Sequence, residues 1–486
     1  MARRVSLGLT ALTLAAAIGT PAAAETLNQA LAAAYKHNPQ LDAQRARLRA
    51  TDEGVAQAKS GFRPLVRGSA DVNVVNTETR PPSPSDGTIY PRGYEVNFSQ
   101  PLFTGFRTPN AIRESEANVR AGRATLRNVE QQVLLSAVTA YMDVVRDQAI
   151  VRLQENNVRV LSRELRATRD RFSVGEVTRT DVAQAQARQA AAVSALDLAR
   201  ANLRSSRAVY EQVIGSKPGR LHEPRPHRRL LPPGLHRAIH IALKENPLVR
   251  TAQFQEQAGR FTVARIRAEL NPTIELQGQF QKRFDPSRFV DRQQTARLTG
   301  RIDIPLYQRG EVSARVRQAK HNHVALIQEI QRIRNEVKAN VISAWSQLRA
   351  SRAQLRTDRS QVQANQIALT GVREEERVGQ RTLLDVLNAQ LELLNSRVSL
   401  VTTQRNLVVA SYNLLSAIGR LSVQELHVSK KVYDPQVHYF EIRKKWWGLS
   451  ITHKDGKHEY LDLWGTHGRR HHADHRPYRH KRRSHK

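Results

Sequence analysis

The stretch from Val174 and Gly175 through Thr178, Asp181 and Val182 to Ala185 recurs with identical spacing as Val378, Gly379, Thr382, Asp385, Val386 and Ala389. A chain that carries one unit twice is constrained to fold as two similar units. Glycine tolerates the positive φ of a tight turn, Thr and Asp open helices, and an Ala-containing helical run follows. Each copy therefore predicts the tip of a helical hairpin, at about 172–181 and about 376–385.

Other landmarks repeat in the same order. Leu27 to Asn38-Pro39 resembles Leu235 to Asn246-Pro247, and Pro64 matches Pro272. Pro101-Leu102 matches Pro305-Leu306, Ala140-Tyr141 matches Ala344-Trp345, and Ile214-Gly215 matches Ile418-Gly419. A self-match at about two hundred residues is too long for a solenoid repeat and implies a duplicated domain. The first unit is placed at 25–215 and the second at 235–425, with a Pro-, Arg- and Gly-rich linker at 216–234.

Within each unit the hydrophobic period changes from helix to strand and back. Residues 26–60 and 236–269 read as an amphipathic helix interrupted by Asn-Pro. Strict alternation follows, with Val66, Gly68, Ala70, Val72 and Val74 against Arg67, Ser69, Asp71 and Asn73. Tyr94, Val96 and Phe98 then alternate with Glu95, Asn97 and Ser99, and the second unit repeats the pattern from Ile274 to Gln281 and from Leu298 to Ile304. Four strands are predicted, at about 64–76, 92–103, 272–283 and 294–305, paired as two hairpins. Exposed loops are expected at Arg80–Gly87 and Arg283–Arg288.

A half-buried sheet on a globular core is one reading of these strands. Their length and the apolar-out, polar-in dyad fit the wall of a transmembrane barrel better. Four strands cannot close a barrel, since bacterial ones have about eight or more, and open edges are not tolerated in lipid. A membrane-spanning sheet would oblige the chain to oligomerise.

Beyond the strands, about Thr108–Phe172 and Glu311–Arg377 read as helices of some 90 to 100 Å at 1.5 Å per residue. Val386, Leu393, Leu400, Leu407 and Leu414 recur every seven residues in the second return helix, beside a stripe of Ala389, Ser396, Thr403, Ala410 and Ala417. Large and small stripes side by side let helices interlock as in a coiled coil. The low aromatic content of 5% also speaks against a large globular core in these 486 residues.

Lys and Arg exceed Asp and Glu by 33 charges, which puts nucleic acid or an anionic surface among the possible partners. The N-terminus redirects that thought. Arg3 and Arg4 precede an apolar run to Ile18 and the small-residue site Ala22-Ala23-Ala24, so 1–24 reads as a secretory signal peptide, with nucleic acid not expected as a partner. The sequence has no Cys, which excludes disulfides and lipidation on an N-terminal Cys. No phosphate-binding glycine loop, Cys pair or G-x-S-x-G elbow is present, so neither an enzyme nor a cofactor is expected.

A strap is expected at 426–450, where Tyr433 to Tyr439 and Lys444 to Gly448 suit an ordered segment lying along helices. The basic tail at 451–486 is expected to be a disordered cationic end. His471, His472 and His475 within it lack a carboxylate or Cys to complete a fixed metal site, so no metal is assigned.

Across about 25–425, the doubled V-G-x-x-T-x-x-D-V motif, the twin Asn-Pro helix starts and the Q-P-L-F-T-G segment at Gln100–Gly105 resemble the TolC-type outer-membrane channel family. The resemblance implies a mainly α fold with a transmembrane β part: a duplicated unit of long coiled-coil-like helices plus four strands per chain. A homotrimer would complete a twelve-stranded barrel and an α-helical periplasmic tunnel. It further implies an exit duct in the outer membrane of a Gram-negative bacterium for tripartite efflux or type I secretion. An inner-membrane RND or ABC pump would be coupled through a periplasmic adaptor, with outer-membrane lipid around the strands. Val174, Gly175, Thr178, Val378, Gly379 and Thr382 fall on the adaptor-contacting tips. Asp181 and Arg381 fall on positions that link the closed mouth, and Asp385 falls on a ring of carboxylates at the constriction. Where the family's best-known pattern has a second acidic ring this chain has Asn388, and where it has a linking tyrosine this chain has Glu376. The competing reading is a secreted periplasmic coiled-coil scaffold or adaptor, which would share the helices without needing the strands.

Overall fold

The computed structural model describes residues 25–451 apart from 225, 227, 228, 430 and 431. The expected signal peptide and the tail beyond 451, with His471, His472 and His475, lie outside the described residues. In chain order the elements are α1 (Leu27–His37), α2 (Pro39–Ser60), β1 (Leu65–Val72), β2 (Val75–Thr77), β3 (Gly87–Ile89), β4 (Arg92–Phe103), α3 (Arg107–Ser173) and α4 (Arg179–Ile214). The second unit repeats them as α5 (Leu235–Glu245), α6 (Pro247–Arg267), β5 (Thr273–Ser287), β6 (Val290–Asp303), α7 (Glu311–Arg377) and α8 (Leu383–Ala417), and α9 (Gln436–Lys444) follows.

The four main strands form one antiparallel sheet in the order β1-β4-β5-β6, so the two units meet at β4 and β5. Val96 faces Gly68 on one side and Phe280 on the other, and Phe280 faces Ala296. Phe98 lies in the same way between Val66 and Gly278, and Gly278 faces Leu298. Paired residues share a face, so over these rows one face is apolar; toward the loops the same face carries Tyr94, Lys282 and Gln294 and then Arg92, Phe284 and Arg292, and toward the helices it carries Gln100. The opposite face carries Arg67, Ser69, Glu95, Asn97, Gln277, Gln279, Arg297 and Thr299. On it the Glu95 carboxylate accepts from Gln279 Nε2 at 3.1 Å. The apolar face is exposed, Leu298 by 72% and Val66 by 63%, which no face turned toward a protein core would be.

Two expectations about strands need correcting. The first predicted strand, 64–76, breaks after Val72. It resumes as β2, which pairs with β3 in the same register as β1 with β4 and so lengthens the first hairpin; the interruption falls where Asn73 N–H bonds Pro91 O at 2.8 Å but Pro91, lacking an N–H, can return no bond. The Arg283–Arg288 loop is instead mostly strand: β5 runs to Ser287 through an irregularity at which Asp285 takes φ 50°, and it returns as β6 from Val290.

α3 and α7 each have 67 residues, about 100 Å at 1.5 Å per residue. α2 runs antiparallel to the strand-proximal half of α3, with Leu48 beside Gly122 and Gly61 beside Thr108. α6 flanks the other side of that half, where Arg265 pairs with Glu114 at 2.7 Å. α7 lies beyond α6, joined by Arg315–Glu269 at 2.7 Å and His323–Glu256 at 2.7 Å. The distal halves of α3 and α7 pack against α4 and α8 in turn.

The predicted Asn-Pro interruptions are the joints of this wall. Asn38 ends α1 and caps α2: its Oδ1 accepts from Gln40 N at 2.9 Å, and its Nδ2 donates to Val213 O, at the end of α4, at 3.0 Å. Asn246 does the same, accepting from Leu248 N at 2.9 Å and donating to Ala417 O, at the end of α8, at 2.8 Å. Proline at the first helical position needs no N–H partner, so one Asn-Pro pair both starts a helix and docks it on the helix below. α2 thereby continues α4, and α6 continues α8. The wall is four columns wide.

The main core lies around these joints, where Tyr141, Tyr210 and Tyr412 are fully buried. Tyr141 Oη donates within 2.7 Å of both Glu25 O and His222 O, which ties the start of the first unit and the linker to α3. In the predicted stripes of α8, Val386, Leu393, Leu407 and Leu414 are buried beside Ser396, Thr403 and Ala410, while Leu400, Ala389 and Ala417 are half-buried. No helix among the described residues is long and apolar enough to cross a membrane.

Candidate functional site

The doubled motif builds two tips of matching geometry. Gly175 has φ 83° and Gly379 φ 78°, which lets each long helix reverse without strain. Gly175 N–H bonds Phe172 O at 3.0 Å and Gly379 N–H bonds Glu376 O at 2.9 Å. Beyond each turn, Thr178 and Thr382 cap α4 and α8. Thr178 Oγ1 accepts from Asp181 N at 3.3 Å while Asp181 Oδ2 accepts from Thr178 N at 2.9 Å and from Thr178 Oγ1 at 2.8 Å. Thr382 and Asp385 repeat these bonds at 3.3, 3.1 and 2.8 Å. The motif's Thr and Asp are thus a capping box, and its glycine is the turn.

Asp385 accordingly has a local task beside any at a constriction. The Thr382 backbone N–H and hydroxyl, and then the Arg381 charge, hold its carboxyl below the usual range. The carboxylate is ionised at neutral pH and partly open to solvent.

The expected Asp181–Arg381 link does not form within the protomer. Arg381 Nε bonds Glu375 Oε2 at 2.9 Å, in its own tip, and Asp181 is held by Thr178. The side chains that join the two hairpins are others. Arg171 Nη1 bonds Glu376 Oε1 at 2.9 Å, and its Nε reaches Glu176 Oε2 at 3.2 Å. Arg188 Nη2 donates to Asn388 Oδ1 at 2.7 Å. Glu376 and Asn388, the two departures from the family pattern, are therefore both occupied by arginines from the first hairpin. Bonding to Glu376 makes Arg171 still harder to deprotonate. Beneath these polar contacts Leu161, Leu165, Ala185, Leu383 and Leu387 form a small apolar cluster shared by the two hairpins.

Arg171 and Arg188 carry no sequence signal of their own in an arginine-rich chain. One clue exists: Arg171 and Glu375 each stand four residues before a tip glycine, so the duplication has placed opposite charges at equivalent positions. At the end of each tip Val174 and Val378 are exposed by 71% and 70%, two apolar knobs with nothing of the protomer over them. Among the described residues there is no grouping of side chains that would hold a metal ion.

Comparison with known proteins places the family and the fold. Residues 30–216 and 238–420 match the family described as outer membrane efflux protein. The chain is 39% identical over 433 residues to the outer membrane efflux protein BepC of Brucella suis, covering 89% of this chain and 93% of that one. It is 25% identical over 340 residues to the alkaline protease secretion protein AprF of Pseudomonas aeruginosa, covering 67% and 69%. Among solved structures, the outer membrane channel CmeC of Campylobacter jejuni superimposes with a TM-score of 0.73 at 17% identity, covering 86% of this chain and 89% of that one.

Proposed function

Because this chain belongs to the outer membrane efflux protein family, and is thereby an outer-membrane efflux channel subunit, we propose that three copies close one continuous duct. The copies contribute strands in the membrane and helical columns in the periplasm. The observation that carries this reading is the sheet with a band of apolar residues on one face and a mainly polar opposite face, whose edges β1 and β6 are both open. In lipid each unpaired backbone group costs several kcal/mol, so the edges must pair with further copies. β1 and β6 run antiparallel, and the edge of one copy fits the opposite edge of the next without reversing the chain. Three sheets of four give twelve strands, within the range of bacterial barrels.

The tips then form the periplasmic mouth. Arg171–Glu376 and Arg188–Asn388 hold the two hairpins of a protomer together in its resting arrangement. Opening requires them to part, while Asp385 supplies an ionised carboxylate from every copy. Val174 and Val378 offer the apolar ends that a periplasmic adaptor would cover in coupling the duct to an inner-membrane pump. The chain itself supplies passage rather than the energy of transport.

Outer-membrane fractions should yield an SDS-resistant trimer that heating converts to monomer, and the purified trimer should conduct ions across planar bilayers. A soluble periplasmic monomer with no conductance would refute the reading.

A further inference from the structure

After α8 the chain does not leave the molecule. It climbs α2 toward the sheet, and its contacts advance in step along both segments. Tyr433 N–H bonds Tyr35 Oη at 3.0 Å, and the Arg45 guanidinium sits between the Tyr35 and Tyr433 rings at 4.6 and 5.3 Å. Higher up, His438 Nδ1 lies 3.1 Å from Asp52 Oδ2, a carboxylate 1% exposed. Ile442 is buried on the same side of α9. At the top Arg63 Nη2 donates to Lys445 O at 2.8 Å and its Nη1 to Trp446 O at 3.1 Å, with its guanidinium 5.0 Å from the centre of the Trp446 ring. Arg63 is two residues from β1, and Phe62 beside it accepts a bond from Gln100 in β4. The strap is therefore fastened immediately below the sheet.

Its upper end is apolar and uncovered. Trp447 is 83% exposed, Trp446 67%, Leu449 59% and Ile451 54%. Gly448, at φ 106°, turns Leu449 to Ile451 back, and Lys445 Nζ closes that turn on Ser450 Oγ at 3.1 Å. Arg443, Lys444 and Lys445 stand just before the tryptophans, with no acidic residue between Arg443 and Ile451. Tryptophans at the edge of an apolar band, with cations directly on the aqueous side, are the arrangement that a phospholipid headgroup region stabilises. The apolar face of the sheet begins at the same level, with Val66 exposed.

We propose that Trp446, Trp447, Leu449 and Ile451 form an interfacial anchor that inserts into the phospholipid leaflet at the periplasmic end of the barrel, with Arg443, Lys444 and Lys445 against lipid phosphate. It is a non-covalent counterpart to lipidation, for which this chain has no Cys. The inference rests on the barrel lying in the outer membrane, and its test separates the two. The full chain holds four tryptophans, Trp345, Trp446, Trp447 and Trp464. A Trp345→Phe/Trp464→Phe variant keeps the anchor pair as the sole tryptophans, whose emission is excited selectively over that of tyrosine, and Trp446→Phe/Trp447→Phe removes that pair. Both are reconstituted into phosphatidylethanolamine–phosphatidylglycerol vesicles with acyl chains brominated near the headgroup.

Emission from the first variant should be quenched relative to unbrominated vesicles. Adding Arg63→Gln to it should weaken the quenching, because the strap loses its upper fastening. Unquenched emission from the first variant overturns the anchor, whether the tryptophans prove to be in water, with red-shifted emission, or under a neighbouring subunit, with blue-shifted emission. Conductance measured on the same vesicles reports on the barrel: conductance without quenching refutes the anchor alone, whereas loss of both in a folded protein refutes the barrel reading on which it stands.

Discussion

Replacing Asn246 by Ala should loosen the wall at one defined height. The side chain is 5% exposed and makes two bonds of different kinds, accepting from Leu248 N to cap α6 and donating to Ala417 O at the end of α8. Loss of an Asn cap costs about 1 kcal/mol. A helix-terminal carbonyl left unpaired away from water costs about 1–3 kcal/mol more. The sum, about 2–4 kcal/mol, corresponds to an opening equilibrium roughly 30 to 1000 times more populated, at 1.36 kcal/mol per factor of ten. Hydrogen–deuterium exchange of the intact trimer reads this locally, as faster exchange in peptides covering the first turns of α6 and the last turn of α8. Asn246→Ser keeps an acceptor for the cap but is too short to reach Ala417, so it should lose only the second contribution. An Ala variant whose exchange stays within about threefold of wild type would refute the assignment of the joint to this side chain. An increase spread evenly over α3 and α7 would count against it as well, since the loss is confined to the junction.

Arg171→Ala and Arg188→Ala each remove one bond between the hairpins, so both should raise mean conductance in planar bilayers, and the pair more than either. As the partners are partly exposed, Arg171 and Glu376 should couple by only about 0–1 kcal/mol in a double-mutant cycle. Asp385, held below its ordinary value near 3.8, supports the folded tip above that value and loses this contribution as pH falls through the depressed one. Tip exchange should therefore be insensitive to this group from neutrality down to about pH 5 and accelerate only in stronger acid, with Asp385→Asn removing that acid dependence. Gly419→Ala should harm the trimer far more than Gly215→Ala. Both have φ 87°, but a Cβ at 419 would lie 2.7 Å from Asn246 Cα, whereas at 215 the nearest atom is His37 Cβ at 3.4 Å. The left-handed backbone alone costs about 1–2 kcal/mol at each, and only the first adds a clash with backbone. The temperature at which the SDS-resistant trimer converts to monomer ranks the two.

Features set by near neighbours along the chain are legible in the sequence. The capping boxes at Thr178 and Thr382, the turns at Gly175 and Gly379, the Asn-Pro starts and the alternation of the strands depend on residues within a few positions of one another. The end of β1 is not legible in its own residues, because Asn73 and Val74 continue the alternation and the ladder is interrupted by the facing Pro91, which has no N–H to give Asn73. The length of β5 is hidden for the converse reason: Pro286 and Asp285 look like a loop, yet β6 pairs past them around an irregularity. At the tips the family resemblance pairs Asp181 with Arg381, whereas each is satisfied within its own hairpin. The arginines that do cross, Arg171 and Arg188, meet partners about two hundred residues away, a contact no local pattern encodes. The sequence marks the strap only as a segment able to pack on helices, since its course along α2 depends on where Tyr35, Asp52 and Arg63 come to lie.

The sheet order carries a further consequence. Inside the chain, β4 is the second strand of one unit and β5 the first strand of the next. Around a closed ring, β6 of one copy would meet β1 of the following copy in that same relation. Covalent and non-covalent seams then obey one rule, and the assembly is a ring of six like units of which alternate junctions happen to be peptide-bonded. Subunit number follows from how far each seam turns the wall, not from a special interface between chains. Divergence between the units, such as Arg171 against Glu375, is what reduces that sixfold pattern to threefold.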